Sequence, residues 1–367
     1  MPKNTIIIAA GGTGGHLYPA LAVAELIREQ RPDVRMVFVG TKDRIESKEV
    51  PKAGFPFHPI DIQAPRKSMA SLVVFPFRFT KALFDCLGLM SRERPIAMLG
   101  AGAYLSVPVG LAAWAFHVPI ALLEINSVPG TANTFLARLA DKLFLAYREA
   151  AARFVPRVSS SATVCGTPVR AGLGAPRFSK EEARTAFGLE ASRTSILVFG
   201  GSLGARPINE AMRSSVQEFN AHGYNVLWQT GKSANVTELQ KEFSGLANVC
   251  IREYIYEMEQ AYRAADIVVC RAGASSLAEL ARLGKPAVLV PWSGAMANHQ
   301  EHNARAFEET GAALVLRDDE VRSKLAKTVL DVLRQPRELE RMSEAMKRCD
   351  HPDAAAIVAE WLLGRKR

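Results

Sequence analysis

The pattern that most restricts how this chain can fold is a short β-rich apolar run that meets a glycine cluster and then a helix-patterned segment, and it occurs twice. Thr5–Ala10 leads into Gly11-Gly12-Thr13-Gly14-Gly15-His16 and a helix expected from about Pro19 to Glu29. Ser195–Phe199 leads into Gly200-Gly201-Ser202-Leu203-Gly204 and a helix expected over Pro207–Phe219. Further strand-like runs follow each start: Val34–Val39, Ile96–Leu99, Ile120–Leu123 and Lys142–Ala146 in the first half, and Asn225–Gln229, Asn248–Ile251, Ile267–Cys270, Ala287–Val290 and Ala313–Leu316 in the second. Helix-patterned stretches such as Val107–Phe116 and Pro129–Leu139 separate them. This alternation predicts parallel sheets covered by helices. At 367 residues the chain also exceeds one ordinary core. The expectation is an α/β protein of two Rossmann-like domains, 1–165 and 166–339. The seam falls near Gly166-Thr167-Pro168, and the terminal helical stretch 340–367 returns to the first domain.

A glycine loop that opens a helix lets backbone N–H groups and the positive helix end approach a phosphate. At an exposed site this is worth roughly 0.3–1 kcal/mol per charge. One such loop alone is as readily a tight strand–helix turn. A dinucleotide site needs G-x-G-x-x-G and an acid ending the second strand. Here Leu17 takes the third glycine position and the second strand ends in Gly40-Thr41-Lys42. Neither loop continues into the Gly-Lys-Ser/Thr of a P-loop. Hydride transfer and nucleotide hydrolysis are therefore disfavoured.

The second half holds a denser set of signals. Ile267–Cys270 runs into Arg271-Ala272-Gly273-Ala274-Ser275-Ser276 and a helix that carries Glu279. Small residues there admit a phosphate, and a carboxylate one turn inside can accept both hydroxyls of a ribose. On its own Glu279 is as well explained as a solvated glutamate near a helix start. Next come Pro291-Trp292 and Asn298-His299-Gln300-Glu301-His302-Asn303-Ala304, whose amides suit sugar hydroxyls because they both donate and accept. His299 and His302 stand three apart, but no further ligand set accompanies them, and no metal site is expected. The five cysteines are scattered, with no CxxC, which argues against structural zinc and a disulfide framework.

Taken together and in order, Gly11–His16 with Pro19, Gly166-Thr167-Pro168-Val169-Arg170, Gly200–Ala205, Ala272-Gly273-Ala274 through Glu279, and Gln300 with Asn303-Ala304 resemble the motifs of GT-B glycosyltransferases. Within that family they are most similar to the enzymes that add N-acetylglucosamine to a lipid-linked muramyl peptide. The resemblance runs from Ile6 to about Leu316 and implies a GT-B fold, two Rossmann-like domains facing across a cleft, with no cofactor and no metal. It also implies a role for particular residues. Ser202 and the loop amides would hold the UDP diphosphate, with Arg170 adding charge. Ile255 would meet uracil through its backbone, Glu279 would bind ribose, and Gln300 and Asn126 would contact N-acetylglucosamine. Thr13, Gly14 and Gly15 would border the donor sugar and the acceptor diphosphate. The chain departs from the family where His-Glu-Gln-Asn is usual: it has Leu123-Glu124-Ile125-Asn126.

The implied reaction is a single inverting displacement, in which the muramyl 4-hydroxyl attacks C1 of the sugar and UDP leaves. His16, at a helix N-terminus that favours its neutral form, is the first candidate for the base, and Glu124 is its competitor. Rival readings are a related transferase with another lipid acceptor, a binding module without turnover, and a sugar-nucleotide epimerase.

The net charge of +9 calls for an anionic partner. The basic residues are dispersed and carry no recognition motif, so nucleic acid is not expected. Arg66-Lys67-Ser68-Met69-Ala70-Ser71-Leu72-Val73-Val74-Phe75-Pro76-Phe77-Arg78-Phe79 sets apolar residues among cations, as an anionic membrane surface would require, although Pro76 interrupts the amphipathic pattern and a core-packing helix with a solvated rim would read the same way. The implied acceptor is an undecaprenyl lipid, which points to peripheral docking on the cytoplasmic face of the bacterial inner membrane. No apolar run is long enough to span a bilayer, and Ile6-Ile7-Ile8 enters the glycine loop without the segments of a secretory signal, so a cytoplasmic location is expected.

Overall fold

The computed structural model describes residues 4–63, 69–175 and 177–364. Arg66, Lys67 and Ser68 of the basic-apolar segment lie outside the described residues. The chain divides into two compact units, 1–171 with 351–367, and 172–350. The boundaries expected at 165/166 and 339/340 thus fall at 171/172 and 350/351.

Among the described residues the first unit has a seven-stranded parallel sheet. Its strands are β1 (Thr5–Ala9), β2 (Arg35–Thr41), β3 (Phe57–Ile60), β4 (Ala97–Gly100), β5 (Ile120–Glu124), β6 (Lys142–Leu145) and β7 (Thr163–Val164), in the order β3-β2-β1-β4-β5-β6-β7. The second unit has a six-stranded parallel sheet of β8 (Ser195–Phe199), β9 (Asn225–Gln229), β10 (Val249–Arg252), β11 (Ile267–Cys270), β12 (Ala287–Leu289) and β13 (Ala313–Val315), in the order β10-β9-β8-β11-β12-β13. Both follow the doubly wound plan, with direction of strand order reversing beside the first strand of each sheet. Every residue of β1, β5, β8 and β9 is buried, as strands covered by helices on both faces require. The register is set by pairs such as Ile7 with Val37 and Met98, and Val198 with Trp228 and Val269.

Two strands escape the apolar-run criterion. β3 is interrupted by His58 and Pro59, and β7 has only two residues at the sheet edge. The helix Met69–Glu93 runs through Pro76 without ending there. Pro76 is on the exposed side, where water can take the carbonyl that its missing N–H leaves unbonded, and the Thr80 hydroxyl donates to the Pro76 carbonyl at 2.8 Å.

The helix Ala354–Leu363 packs against the helix Gly14–Gln30, burying Ala354, Ala355, Val358, Ala359 and Leu362. Its Trp361 meets Phe144 of β6 edge-on at 6.3 Å. Where this returning segment begins, the His351 ring lies against Gly166. A Cβ on Gly166 would stand 2.3 Å from the His351 Cβ and 2.4 Å from its ring Cγ, and φ there is +82°, so only glycine fits.

Candidate functional site

In each unit the glycine loop follows the strand beside which the order reverses, β1 or β8. This is where open α/β sheets bind ligands.

In the first unit β1 passes through Gly11 and Gly12 to Thr13, which caps the helix Gly14–Gln30. Beneath the turn lies Glu46, fully buried. Its Oε2 accepts the Gly12 N–H at 3.1 Å, and Oε1 accepts the Thr41 N–H at 3.0 Å and hydroxyl at 2.7 Å. A Cβ at Gly11 would sit 2.4 Å from the Glu46 carboxyl carbon, and one at Gly40 2.5 Å from its Cγ. The glycines are therefore needed to admit the carboxylate as much as to expose backbone N–H groups. Thr13 is exposed, and Gly14 and Gly15 form the first helical turn with His16. The imidazole lies against the loop after β4, where a Cβ on Gly102 would approach Nδ1 to 2.8 Å. That loop has φ of +90° at Gly102 and +64° at Ala103, and the buried Ser106 hydroxyl holds it by donating to the Gly102 carbonyl at 2.5 Å.

Glu124 ends β5 and is 1% exposed. Its Oε1 accepts the Asn126 backbone N–H at 3.0 Å and side-chain amide at 3.2 Å. Its Oε2 accepts the Gly130 N–H and the Asn133 amide, each at 3.0 Å. Four donors saturate this carboxylate, an arrangement suited to orienting Asn126 and poorly suited to taking a proton from substrate. Leu123 and Ile125 are buried, so where the family usually has polar residues this chain packs its core. Arg170 belongs to the first unit, exposed, with its guanidinium 4.8 Å from the Tyr18 ring centre.

The second unit gathers Ser202, Ile255, Glu279 and Gln300 on segments following β8, β10, β11 and β12. The loop after β8 turns through φ of +87° at Gly201 and +80° at Gly204. A Cβ on Gly204 would stand 2.1 Å from the Thr230 carbonyl oxygen. Ser202 is exposed at its tip. Gln229, buried at the end of β9, donates its amide to the Gly201 carbonyl at 3.2 Å and accepts the Ile255 N–H at 2.9 Å. That N–H is thus engaged inside the protein. Glu279 Oε2 accepts the Tyr262 hydroxyl at 2.8 Å. Gln300 Oε1 accepts the Trp292 N–H at 3.0 Å, which fixes the side chain and directs its amide N–H groups away from that contact. Arg271 is spent on structure: Nη1 donates to the carbonyls of Val290 at 3.0 Å and Pro291 at 3.2 Å and pairs with Asp318, which in turn accepts from Ser293. Leu203, Tyr256 and Trp292 stand exposed on these same loops.

Sequence reasoning did not find Glu46, Asn133, Gln229 or Tyr262. Each acts through a partner distant along the chain, with no local motif to mark it. Among the described residues no three His, Cys, Asp or Glu side chains cluster as a metal would need.

The sequence profile of the glycosyltransferase family 28 N-terminal domain matches residues 6–145, and that of the family 28 C-terminal domain matches residues 195–358. A Salinibacter ruber protein described as UDP-N-acetylglucosamine–N-acetylmuramyl-(pentapeptide) pyrophosphoryl-undecaprenol N-acetylglucosamine transferase is 39% identical over 98% of this chain and 96% of its own. A Bacillus cytotoxicus protein of the same description is 38% identical over 95% of this chain and 96% of its own. Among solved structures, that of Acinetobacter baumannii MurG superposes with a TM-score of 0.74 at 27% identity, covering 98% of this chain and 99% of that one.

Proposed function

The chain belongs to glycosyltransferase family 28, and we propose that it moves N-acetylglucosamine from UDP-N-acetylglucosamine to the 4-hydroxyl of the muramyl sugar in undecaprenyl-pyrophosphoryl-N-acetylmuramyl-pentapeptide. The donor half of this reading rests on Ser202, Ile255, Glu279 and Gln300 lying at the carboxyl side of neighbouring strands around the point where strand order reverses. The acceptor half rests on near-full-length similarity to transferases described as using that lipid.

In this mechanism the muramyl hydroxyl attacks the anomeric carbon once, with inversion. His16 takes the proton, a step worth about 10²–10⁴-fold. Glu124 holds Asn126 against the donor sugar. Charge developing on the departing UDP is met by the N–H groups of the Gly200–Gly204 loop, the Ser202 hydroxyl and Arg170. Glu279 takes the ribose, and Ile255 meets uracil through its backbone. Thr13, Gly14 and Gly15 border the acceptor diphosphate.

The acceptor carries a long lipid, and the first unit offers a surface for it. On the helix Met69–Glu93, Val74, Phe77 and Phe84 are exposed, with Lys81 between the phenylalanines, and Trp114 is exposed on the helix Ser106–Ala115 packed alongside. Phe75 meets Tyr104 at 5.5 Å, and Tyr104 follows the Gly102 loop that supports His16. No helix among the described residues is long and apolar enough to cross a membrane. On the exposed apolar residues of these two helices we propose peripheral docking at an anionic cytoplasmic leaflet, each nearby cation adding about 1 kcal/mol. Flotation with anionic vesicles should carry the protein upward, and Phe77→Ser/Phe84→Ser should leave it at the bottom.

The decisive assay is transfer of labelled N-acetylglucosamine to a short-chain muramyl-pentapeptide lipid, run with and without EDTA. Labelled disaccharide lipid formed in both is the expected result. Tight UDP binding without transfer would overturn the acceptor assignment, and transfer lost to EDTA would overturn the leaving-group account.

A further inference from the structure

We propose that Tyr262 is a positioning residue for nucleotide recognition, its buried hydroxyl setting the direction in which Glu279 presents its carboxylate to the donor ribose. The inference rests on the reading of Glu279 as the ribose ligand and adds a residue that touches no substrate.

Tyr262 is 1% exposed and among the largest fully buried side chains of the molecule. A tyrosine hydroxyl buried this deeply requires a partner. Its partner is Glu279 Oε2 at 2.8 Å, from a residue seventeen positions along the chain on another helix. Burial, then the Glu279 charge, push the phenol well above its ordinary pKa, so it remains a donor throughout the working range. The bond is charge-assisted, the stronger class of hydrogen bond. Holding one oxygen of a carboxylate fixes the plane and direction of the other.

The ring is itself held. It meets Phe199 edge-on at 6.0 Å, and Phe199 is the last residue of β8 before the Gly200–Gly204 loop. Tyr262 lies on the helix Met258–Ala264, which directly follows Tyr254-Ile255-Tyr256. One buried side chain therefore ties together the start of the proposed diphosphate loop, the uracil segment and the ribose carboxylate. A glutamate side chain has three torsions to lose on binding. Fixing them in the free protein lowers the cost of taking the nucleotide, which is preorganisation.

Tyr262→Phe removes the hydroxyl and keeps the ring. In the full chain, KM and kcat for UDP-N-acetylglucosamine are measured together with inhibition constants for UDP and 2′,3′-dideoxy-UDP. Glu279→Ala serves as the reference, because it should abolish the preference for UDP over the dideoxy compound. For Tyr262→Phe we expect KM and the UDP inhibition constant to rise about tenfold. The dideoxy-UDP constant should be unchanged and kcat should stay within about twofold. Both inhibitors are read on one preparation, so their ratio does not depend on the fraction folded. If Glu279→Ala keeps the wild-type preference, the ribose reading fails and the proposal falls with it. If Glu279→Ala loses the preference while Tyr262→Phe keeps it, or weakens both inhibitors equally, the ribose reading stands and the positioning role is overturned.

Discussion

In the first unit the glycine loop rests on an anion, whereas in the second it rests on neutral groups. Glu46 props the Gly11–Gly12 turn and is satisfied by two N–H groups and a hydroxyl; the Gly200–Gly204 loop is braced by the Gln229 amide and the Thr230 backbone. The topology around the two loops is the same. A carboxylate at the base of a loop favours a proton arriving nearby, which suits the loop that carries His16. Neutral support leaves the positive end of the following helix free to act on a phosphate. A shared glycine pattern therefore does not imply a shared task; what lies beneath the glycines decides it.

The sharpest way to break this contrast is His16→Ala. If the first loop does the chemistry, kcat should fall about 10²–10⁴-fold with UDP affinity unchanged, whereas Ser202→Ala should act mainly on KM for the donor. Equal losses in kcat and KM from both variants would remove the distinction. The next effect concerns backbone tolerance inside the second loop. Gly204→Ala combines φ of +80° with a Cβ 2.1 Å from the Thr230 carbonyl oxygen, while the Gly201 Cβ position, at φ of +87°, faces open space. Denaturant unfolding should show a loss of about 2–5 kcal/mol for Gly204→Ala and about 1 kcal/mol for Gly201→Ala.

The two units also differ in the sign of the charge they bury. Glu46 and Glu124 are the buried carboxylates of the first. In the second the buried charge is Arg184, paired with Asp266 at 2.6 Å, and beside it desolvation, and next the Lys180 charge, bring the half-buried Lys285 down to about 8, though it donates to the Ala265 carbonyl at 2.6 Å. A lysine depressed on folding destabilises the protein below its folded pKa. That penalty is relieved as pH rises from about 8 toward about 10.5, where the unfolded chain holds the proton and the folded one does not. Lys285→Met should therefore gain stability relative to wild type at pH 7 and lose that advantage, about 3 kcal/mol in all, by pH 10.5, as read by urea unfolding along a pH series. Glu46→Gln tests the anion beneath the first loop. A side-chain amide can accept at one end only, so a donor is left facing a donor, and about 1–3 kcal/mol of stability should be lost. An unchanged urea midpoint would show that the anion does not brace the loop.

The sheets and the glycine loops were legible because each is written locally. Val34–Val39 and Ile267–Cys270 announce buried strands, and φ above zero at Gly201 and Gly204 demands the residue found there. β3 was not legible, because His58 and Pro59 break its apolar run. The supports were not legible for a different reason. Glu46 reads as an ordinary glutamate of a helix's first turn until Gly12, thirty-four residues earlier, folds onto it. Glu124 looks like a free catalytic carboxylate until Gly130 and Asn133 close around it.

The return of the chain to the first unit bears on the order of synthesis. Residues 172–350 are contiguous, so the second unit has all of its parts before the helix Ala354–Leu363 has been made. The first unit, begun earlier, must wait for that helix to cover the helix Gly14–Gln30, leaving the apolar face under the proposed catalytic turn open during elongation. Domains emerging from the ribosome ordinarily fold from the N-terminus onward. Here the later domain can finish first, and the unit that carries His16 becomes complete only once residues 351–367 have been made.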